Sequence, residues 1–478
     1  MKAVISLYTP AFCRAIIYML QASEYRIMPY LLWFWRTHDF SKVTYRRTLE
    51  KTRAANGLLT LLTIGIYVQM LFGISLLIAG YTEELTELYY FGLGIMLAAP
   101  IVWAHLIIVF VLLAKALVLM PQEARHIQTA KTALASHQAT KIAIAGSYGK
   151  TTMKELLQTV LSEGKKVAAT PANKNVTSSH AAFAKRLKGD EDIIIVEYGE
   201  GKPGDVARMN AYVEPTHAVI TGIAPAHLDR YKTLDAAAQD IFSAVEGVSP
   251  AHVFVNADST DAEPYIEPDQ QTYTREGALG WRVTSTKYSV EGMSFTLTKG
   301  RKRLKLQTKL IGEHLLGPLS LAAALALELG LTEAQVTRGI AKTKPHEHRM
   351  QPYALNGAWV IDDTYNGNLE GIRAGTALLA QLPAKRKLYA TPGLVDQGKL
   401  TKEVHIQVGQ LIARAKPDIV VLFQNSVTKH IKDGLEFAGY KGEVRIEKRP
   451  LEFYENLTHF LASGDLLLMQ NDWTDNYR

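Results

Sequence analysis

Two stretches of this chain leave their backbone few choices. Leu58 to Gly80 contains no Asp, Glu, Lys or Arg, and neither does Leu88 to Ala114, which includes Pro100 and His105. About 20 apolar residues suffice to cross a bilayer, and a helix satisfies every backbone polar group without water. Buried core helices are the alternative, but neither run shows the polar stripe of a helix with one face in water. The flanks orient the pair. Arg36, Lys42, Arg46, Arg47, Lys51 and Arg53 precede it, and Lys115, Arg125, Lys131 and Lys141 follow it. The connection holds Glu83, Glu84 and Glu87 and no basic residue. The positive-inside rule then puts both ends in the cytoplasm, at the inner membrane, with the turn outside. A cleavable signal peptide does not fit, because the first run begins near residue 58 and a second follows.

Upstream, IIYMLQASEYRIMPYLLWFWR mixes apolar and aromatic residues with Glu24 and Arg26 and is interrupted by Pro29. This reads as one or two interfacial helices with Trp33 and Trp35 at headgroup level. A third span is the alternative, and the charges near its middle count against it. The net charge of +7 is concentrated before residue 60 and in short runs such as Arg301-Lys302-Arg303. Cys13 is the only cysteine, so internal disulfides and cysteine-based metal centres are excluded.

After a polar helical stretch, the pattern becomes α/β. Residues 141–157 read KIAIAGSYGKTTMKELL: an apolar strand, a glycine-bounded turn, then an amphipathic helix. That order builds a phosphate cradle. Backbone N–H groups and the helix N-terminus face the anion, Lys150 adds a point charge, and a Thr hydroxyl can ligate Mg²⁺. The longer P-loop pattern would place its first glycine at Ile144, so the short form Gly146-Ser147-Tyr148-Gly149-Lys150-Thr151-Thr152 carries the reading. An ordinary strand-to-helix turn is the alternative. Further strands are expected at Ile193–Val196, Ala218–Thr221 and His252–Asn256, and antiparallel ones at Tyr288–Leu297 and Leu304–Ile311. GEHLLGPLSLAAALALELG reads as a helix stopped by Gly330. KPHEHRM near Pro345 marks a hinge, after which Trp359–Ile361, Leu388–Ala390, Ile419–Phe423 and Leu466–Met469 are the strands of a second α/β unit.

Several further strings, in order, resemble the Mur ligase family of ATP-dependent amide ligases, and its D-alanyl-D-alanine-adding branch most. They are GSYGKTT, TPANKNVTSS, VEYGEGKPGDVARM, ITGIAPAHLDRY, NADS, HRMQ and IDDTYNGN, spread over residues 120–478. The resemblance implies a P-loop-type central α/β ATPase domain and a C-terminal Rossmann-like α/β domain, behind two transmembrane helices. The organisation expected is an interfacial segment 1–57, a membrane hairpin 58–120, a helical linker 121–139, a central domain 140–345 and a C-terminal domain 346–478.

It also implies chemistry. A carboxylate attacks the ATP γ-phosphate to give an acyl phosphate, and an amine then displaces phosphate. Lys150, His227 and Arg349 would be catalytic. Gly146, Ser147, Gly149, Lys150, Thr151, Thr152, Asn256, Asp363, Tyr365 and Asn366 would hold ATP, and Thr151, Glu197 and His227 would hold Mg²⁺. Taken alone, Glu197 could be a strand-end surface carboxylate and IDDTYNGN a plain Asx-rich turn.

The chain departs from the family in five places. Ungapped alignment from His227 puts Ile241 where a carboxylated lysine usually bridges two metals, with Asp240 the nearest substitute. Gly222 and Leu315 stand where the family has asparagine, and Leu369 where it has proline. Apolar segments also replace the UDP-binding N-terminal domain. The partners expected are therefore a muropeptide or lipid-linked cell-wall precursor, an amino-acid or dipeptide amine and the membrane, with no nucleic acid. An amidating subunit with a glutaminase partner, or a nucleotide-binding membrane scaffold without catalysis, are the competing readings.

Overall fold

The computed structural model describes the chain except residues 1–4, 24, 44–48, 173, 226–227, 366, 396, 398–399 and 472–478. It divides into two compact units, Met1–Ala124 and Arg125–Arg478.

The first unit is helical. Arg53–Thr82 and Thr86–Ala114 form an antiparallel pair joined at the acidic turn. Small residues let the two backbones approach: a Cβ on Gly73 or Gly92 would press on the partner helix. Their outer surfaces stay apolar and open, with Tyr67, Leu71, Phe72 and Ile78 each more than half exposed. Only 22% and 28% of the most apolar window of each helical stretch is buried. Pro10–Ala22 and Ile27–Arg36 lay Phe12, Ile16, Ile17, Tyr30 and Phe34 onto the pair. The Tyr30 hydroxyl donates to the Ala104 carbonyl at 2.6 Å. Trp33 packs in this cluster, whereas Trp35 is exposed. The helical path from Thr86 continues to Ala135 through a π-turn at Lys115–Leu119, so the polar stretch after residue 120 is helical, Met120–Ala135.

The second unit is built on two sheets. The first contains Thr140–Ala145 (β1), Val167–Ala169 (β2), Ile193–Glu197 (β3), His217–Ile220 (β4) and Val253–Asn256 (β5). It continues with Gln271–Thr274 (β6), Gly277–Ala278 (β7), Trp281–Ser289 (β8), Gly292–Lys299 (β9) and Lys302–Thr308 (β10). Their spatial order is β10-β9-β8-β7-β6-β5-β4-β1-β3-β2. Pairing is parallel from β2 to β6 and antiparallel from β6 to β10. The central strands are buried on both faces, which is why they read as unbroken apolar runs. The expected strand Tyr288–Leu297 is two strands: β8 ends at Ser289, Val290-Glu291 turn, and Gly292 starts β9 at φ +148.

One face of this sheet is covered by Lys150–Leu161 and by Leu316–Glu328, a helix apolar all round and buried almost throughout. Gly330 follows that helix at φ +91, a left-handed position open to glycine. Asp205–Val213 and Leu234–Phe242 cover the other face.

The second sheet has the order β11-β12-β16-β13-β14-β15. Its strands are Gln351–Leu355 (β11), Ala358–Asp363 (β12), Arg386–Thr391 (β13), Ile419–Phe423 (β14), Glu443–Glu447 (β15) and Asp465–Gln470 (β16). Only β11 runs antiparallel to its neighbour. Asp363 ends β12 beside Gln470 at the end of β16.

Candidate functional site

In the first sheet, β2 and β3 lie to one side of β1 and β4 and β5 to the other. The chain reverses direction across the sheet at β1, and open α/β sheets bind ligands in the crevice beyond the strand ends at such a point. The glycine loop emerges there. Gly146 takes φ +146 and Gly149 φ +78, both disfavoured for a residue with a Cβ. Ser147 N–H donates to the Gly222 carbonyl at 2.8 Å. The Thr221 hydroxyl bonds the Ala145 carbonyl at 3.2 Å and also the Tyr148 carbonyl. The turn after β4 thus holds the turn after β1. A Cβ at Gly222 would run into the Tyr148 ring, so the residue standing where the family has asparagine is set by this packing.

Lys150 opens the helix and folds back over the loop. Its ammonium donates to the Gly146 carbonyl at 2.5 Å and pairs with the Glu200 carboxylate at 2.7 Å. Both side chains are nearly out of water, 11% and 7% exposed. Thr151 turns inward, and its hydroxyl donates to Glu197 Oε1 at 3.0 Å. Thr152 stays at the partly open face. Glu197 is 1% exposed and sits level with Ile144 on the neighbouring strand, one residue before β1 ends. Its backbone is pinned: Thr170 Oγ1 accepts its N–H at 3.1 Å, and His180 Nε2 donates to its carbonyl at 2.9 Å. Burial drops the His180 pKa to about 4, so the ring is neutral and bonds as a fixed neutral group. A Thr hydroxyl beside a carboxylate is the oxygen donor set that Mg²⁺ accepts, with water and phosphate oxygens filling the remaining positions. These two residues fit one such ion. Among the described residues no group of three His, Cys, Asp or Glu side chains stands together to hold a metal. His227 lies outside the described residues.

Asp240 and Ile241 follow on the helix Leu234–Phe242. Asp240 accepts from Tyr231 Oη at 2.6 Å and from Gly204 N–H at 3.0 Å, which ties Tyr231 to the loop after Glu200. Its carboxylate is thereby committed to bracing that loop. Ile241 is fully buried in the core. Asn256 likewise braces: its amide donates to the Thr221 carbonyl at 2.9 Å, and its Oδ1 accepts Asp258 N–H at 3.1 Å.

The hinge gathers a second set. His348 and Met350 both adopt positive φ, and Asp362 Oδ2 meets His348 Nδ1 at 2.7 Å. Asp363 accepts Met350 N–H at 3.1 Å and Gln470 Nε2–H at 2.7 Å. Burial outweighs these donors and the Arg349 charge, and the Asp363 carboxyl rises to about 6. The Arg349 guanidinium stacks 4.7 Å from the Tyr365 ring centre. Asn366 lies outside the described residues. The Tyr148 hydroxyl pKa is raised mainly by burial, and the Glu370 charge, on the helix that follows this hinge loop, adds to the rise.

The sequence reading did not single out Glu200, Lys154, Asn175, Thr221 or His180. Lys154 carried a visible signal. It lies three residues after Thr151 and four after Lys150, on the buried face of an amphipathic helix where a charge breaks the pattern.

Comparison with known proteins converges on the same assignment. Residues 144–326 match the family model for the Mur ligase middle domain. The UDP-N-acetylmuramoyl-tripeptide--D-alanyl-D-alanine ligase of Escherichia coli (strain K12) is 27% identical over 289 residues, covering 59% of this chain and 63% of that protein. MurF from Acinetobacter baumannii superposes with a TM-score of 0.63 at 20% identity, over 73% of this chain and 77% of that one. The MurF ligase from Thermotoga maritima in complex with ADP gives 0.63 at 20% identity, over 73% and 80%. The chain spans about three-fifths of the length of the curated relatives it matches. The structural likeness is one of fold: mixed α/β with sheet-rich central and C-terminal domains. The resemblance to Mur ligases first drawn from the motifs holds.

Proposed function

We propose that this chain, which carries the Mur ligase middle domain, is an ATP-dependent amide ligase that acts on a cell-wall precursor and adds D-Ala-D-Ala or a related amine. The observation that carries the reading is the crevice itself. At one strand-order reversal stand the glycine loop that follows β1, a lysine over its mouth and a Thr–carboxylate pair, Thr151 on the helix after the loop and Glu197 at the end of the adjacent β3. An acceptor carboxylate oxygen attacks the γ-phosphorus and ADP leaves. The amine nitrogen then attacks the acyl carbon, phosphate leaves and the amine proton is lost. Little of this requires covalent help from protein, so positioning and charge neutralisation dominate.

Lys150 leaves Glu200 to meet the β- and γ-phosphates, and the loop N–H groups cradle them. Thr151 and Glu197, with His227, would hold Mg²⁺, which would supply charge neutralisation at the phosphates. Asp363, Tyr365 and Asn366 reach the nucleotide from the hinge side, Arg349 contacts phosphate, and Asn256 backs the loop. The relatives' names supply the substrate class: a muramoyl tripeptide and D-alanyl-D-alanine. The domain organisation follows the boundaries 1–57, 58–120, 121–139, 140–345 and 346–478.

A lipid-linked acceptor is favoured by a specific observation, the exposed apolar surfaces of the helices Arg53–Thr82 and Thr86–Ala114. Set in the cytoplasmic membrane with the α/β unit on the cytosolic side, they hold the enzyme in the plane of such a substrate and raise its effective concentration. The test is ATP-dependent phosphate release by the detergent-solubilised chain, with D-Ala-D-Ala and either UDP-linked or lipid-linked muramoyl tripeptide. Release that requires acceptor and amine together supports the ligase. Nucleotide binding with no release for either acceptor would leave a scaffold instead.

A further inference from the structure

Lysine is among the residues least often buried, and an unpaired buried ammonium is costly. Lys154 is nevertheless 0% exposed. Its Nζ lies 3.0 Å from Glu197 Oε2 and 3.8 Å from Glu155 Oε1, and it donates to the carbonyl of Ala172. The Glu197 carboxylate is therefore shared. Oε1 takes the Thr151 hydroxyl at 3.0 Å and the Asn175 amide at 3.4 Å, while Oε2 takes the ammonium. The residues on the helix Leu234–Phe242 that could have brought charge here do not: Asp240 is bonded to Tyr231 and Gly204, and Ile241 is in the core.

We propose that Lys154 is a built-in counter-ion. Its ammonium stands on the side of Glu197 where a second divalent ion would otherwise be drawn, and it ties Glu197 to the Ala172 carbonyl. The inference rests on the nucleotide-site reading above and deepens it. A fixed monovalent charge with three directed N–H groups holds Oε2 and the Ala172 carbonyl in one geometry whether or not a metal is bound. Oε1 and the Thr151 hydroxyl remain for the ion that accompanies nucleotide. Lys154 is fully buried and acts through Glu197, so it is a positioning residue.

The test reads stability and metal stoichiometry rather than turnover. The full chain in detergent micelles, without nucleotide, is melted with and without Mg²⁺ or Mn²⁺ alone. The unaltered chain should melt at the same temperature in all cases. Lys154→Met strands the Glu197 charge and should lower Tm by roughly 5–10 °C, the loss expected when one partner of a buried pair is removed. Mn²⁺ alone should restore part of that loss by taking the vacated side of Glu197. Lys154→Met combined with Glu197→Gln should recover most of it without metal. An unchanged Tm in Lys154→Met, or no response of that variant to Mn²⁺, overturns the proposal. Where Lys154→Met does not fold, Mn²⁺ bound per non-hydrolysable ATP analogue on the unaltered chain decides: one supports the counter-ion, two firmly held ions refute it. Failure of the ligase reading would look different, as absent phosphate release with these melting signatures intact.

Discussion

The Lys150–Glu200 pair makes a prediction about affinity whose sign is unusual. A nucleotide that uses Lys150 must first draw it from Glu200, so the free site is partly closed by its own ion pair. Unit charges 4 Å apart at an effective dielectric of 20 attract by about 4 kcal/mol. Most of that is offset by desolvation, which the pair shares because both groups are nearly buried. A net worth of ~1–2 kcal/mol remains, and an apparent dissociation constant is raised by whatever must be spent to reach the competent state. Glu200→Gln removes the charge and keeps the shape. It should tighten binding of Mg·ADP by ~5- to 30-fold, the factor equivalent to that energy. The assay is titration of a fluorescent ADP analogue into the detergent-solubilised chain at fixed Mg²⁺. Equal or weaker binding by Glu200→Gln would refute the self-closure argument. Weaker binding with a raised Mg²⁺ requirement would instead make Glu200 a partner of the metal.

Lys150→Ala should keep the fold and lose turnover by ~10²-fold or more, the scale of a lost electrostatic stabiliser, measured as phosphate release beside an unchanged melting curve. In a Cys13→Ala background, a cysteine at Glu84 should label from outside intact cells and one at Gln138 should not; the reverse pattern would invert the topology. Asp363 gives a pH signature. Its carboxyl is raised from 3.8 to about 6, so between those values the folded state holds more proton than the unfolded state, and stability falls as pH rises through the window. Denaturation of the unaltered chain should show a decline of ~2 kcal/mol from pH 4 to 6 that Asp363→Asn lacks. Equal slopes in both chains would place the Asp363 titration elsewhere.

Strands buried on both faces were legible: Ile419–Phe423 was located to the residue and Ile142–Ala145 to within two. Strands with an open face or edge were not. Val167–Ala169 is three residues long at the sheet edge, Glu443–Glu447 is half charged, and Gln351–Leu355 carries Pro352, which only an edge tolerates. In the site, Lys150, Thr151 and Glu197 could be named because the order strand, glycine loop, helix places the first two at a helix start and the apolar run before Glu197 places it at a strand end. Glu200 could not, because its role depends on where a loop returns in space. Lys154 was passed over because a helix lysine is ordinarily solvated, although its place on the buried face of the helix marked it. Asn256 was read as a nucleotide ligand, and the structure uses its amide to hold Thr221 behind the loop. Leu315, standing where the family has asparagine, is buried in the core.

The position of β16 bears on how the molecule is made. The last described strand is inserted between β12 and β13, in the middle of its sheet. Until residues 465–470 leave the ribosome, the second sheet is two separate parts with unpaired inner edges, β11-β12 and β13-β14-β15. The first sheet is complete in sequence by Thr308 and can consolidate while the rest is still being synthesised. The hinge constellation comes late as well, because the Asp363 carboxylate takes a hydrogen bond from Gln470. A chain that lacks residues 465–470 would therefore carry a complete first sheet beside an open, aggregation-prone second one. Whatever depends on the hinge constellation would be denied to a copy that lacks β16.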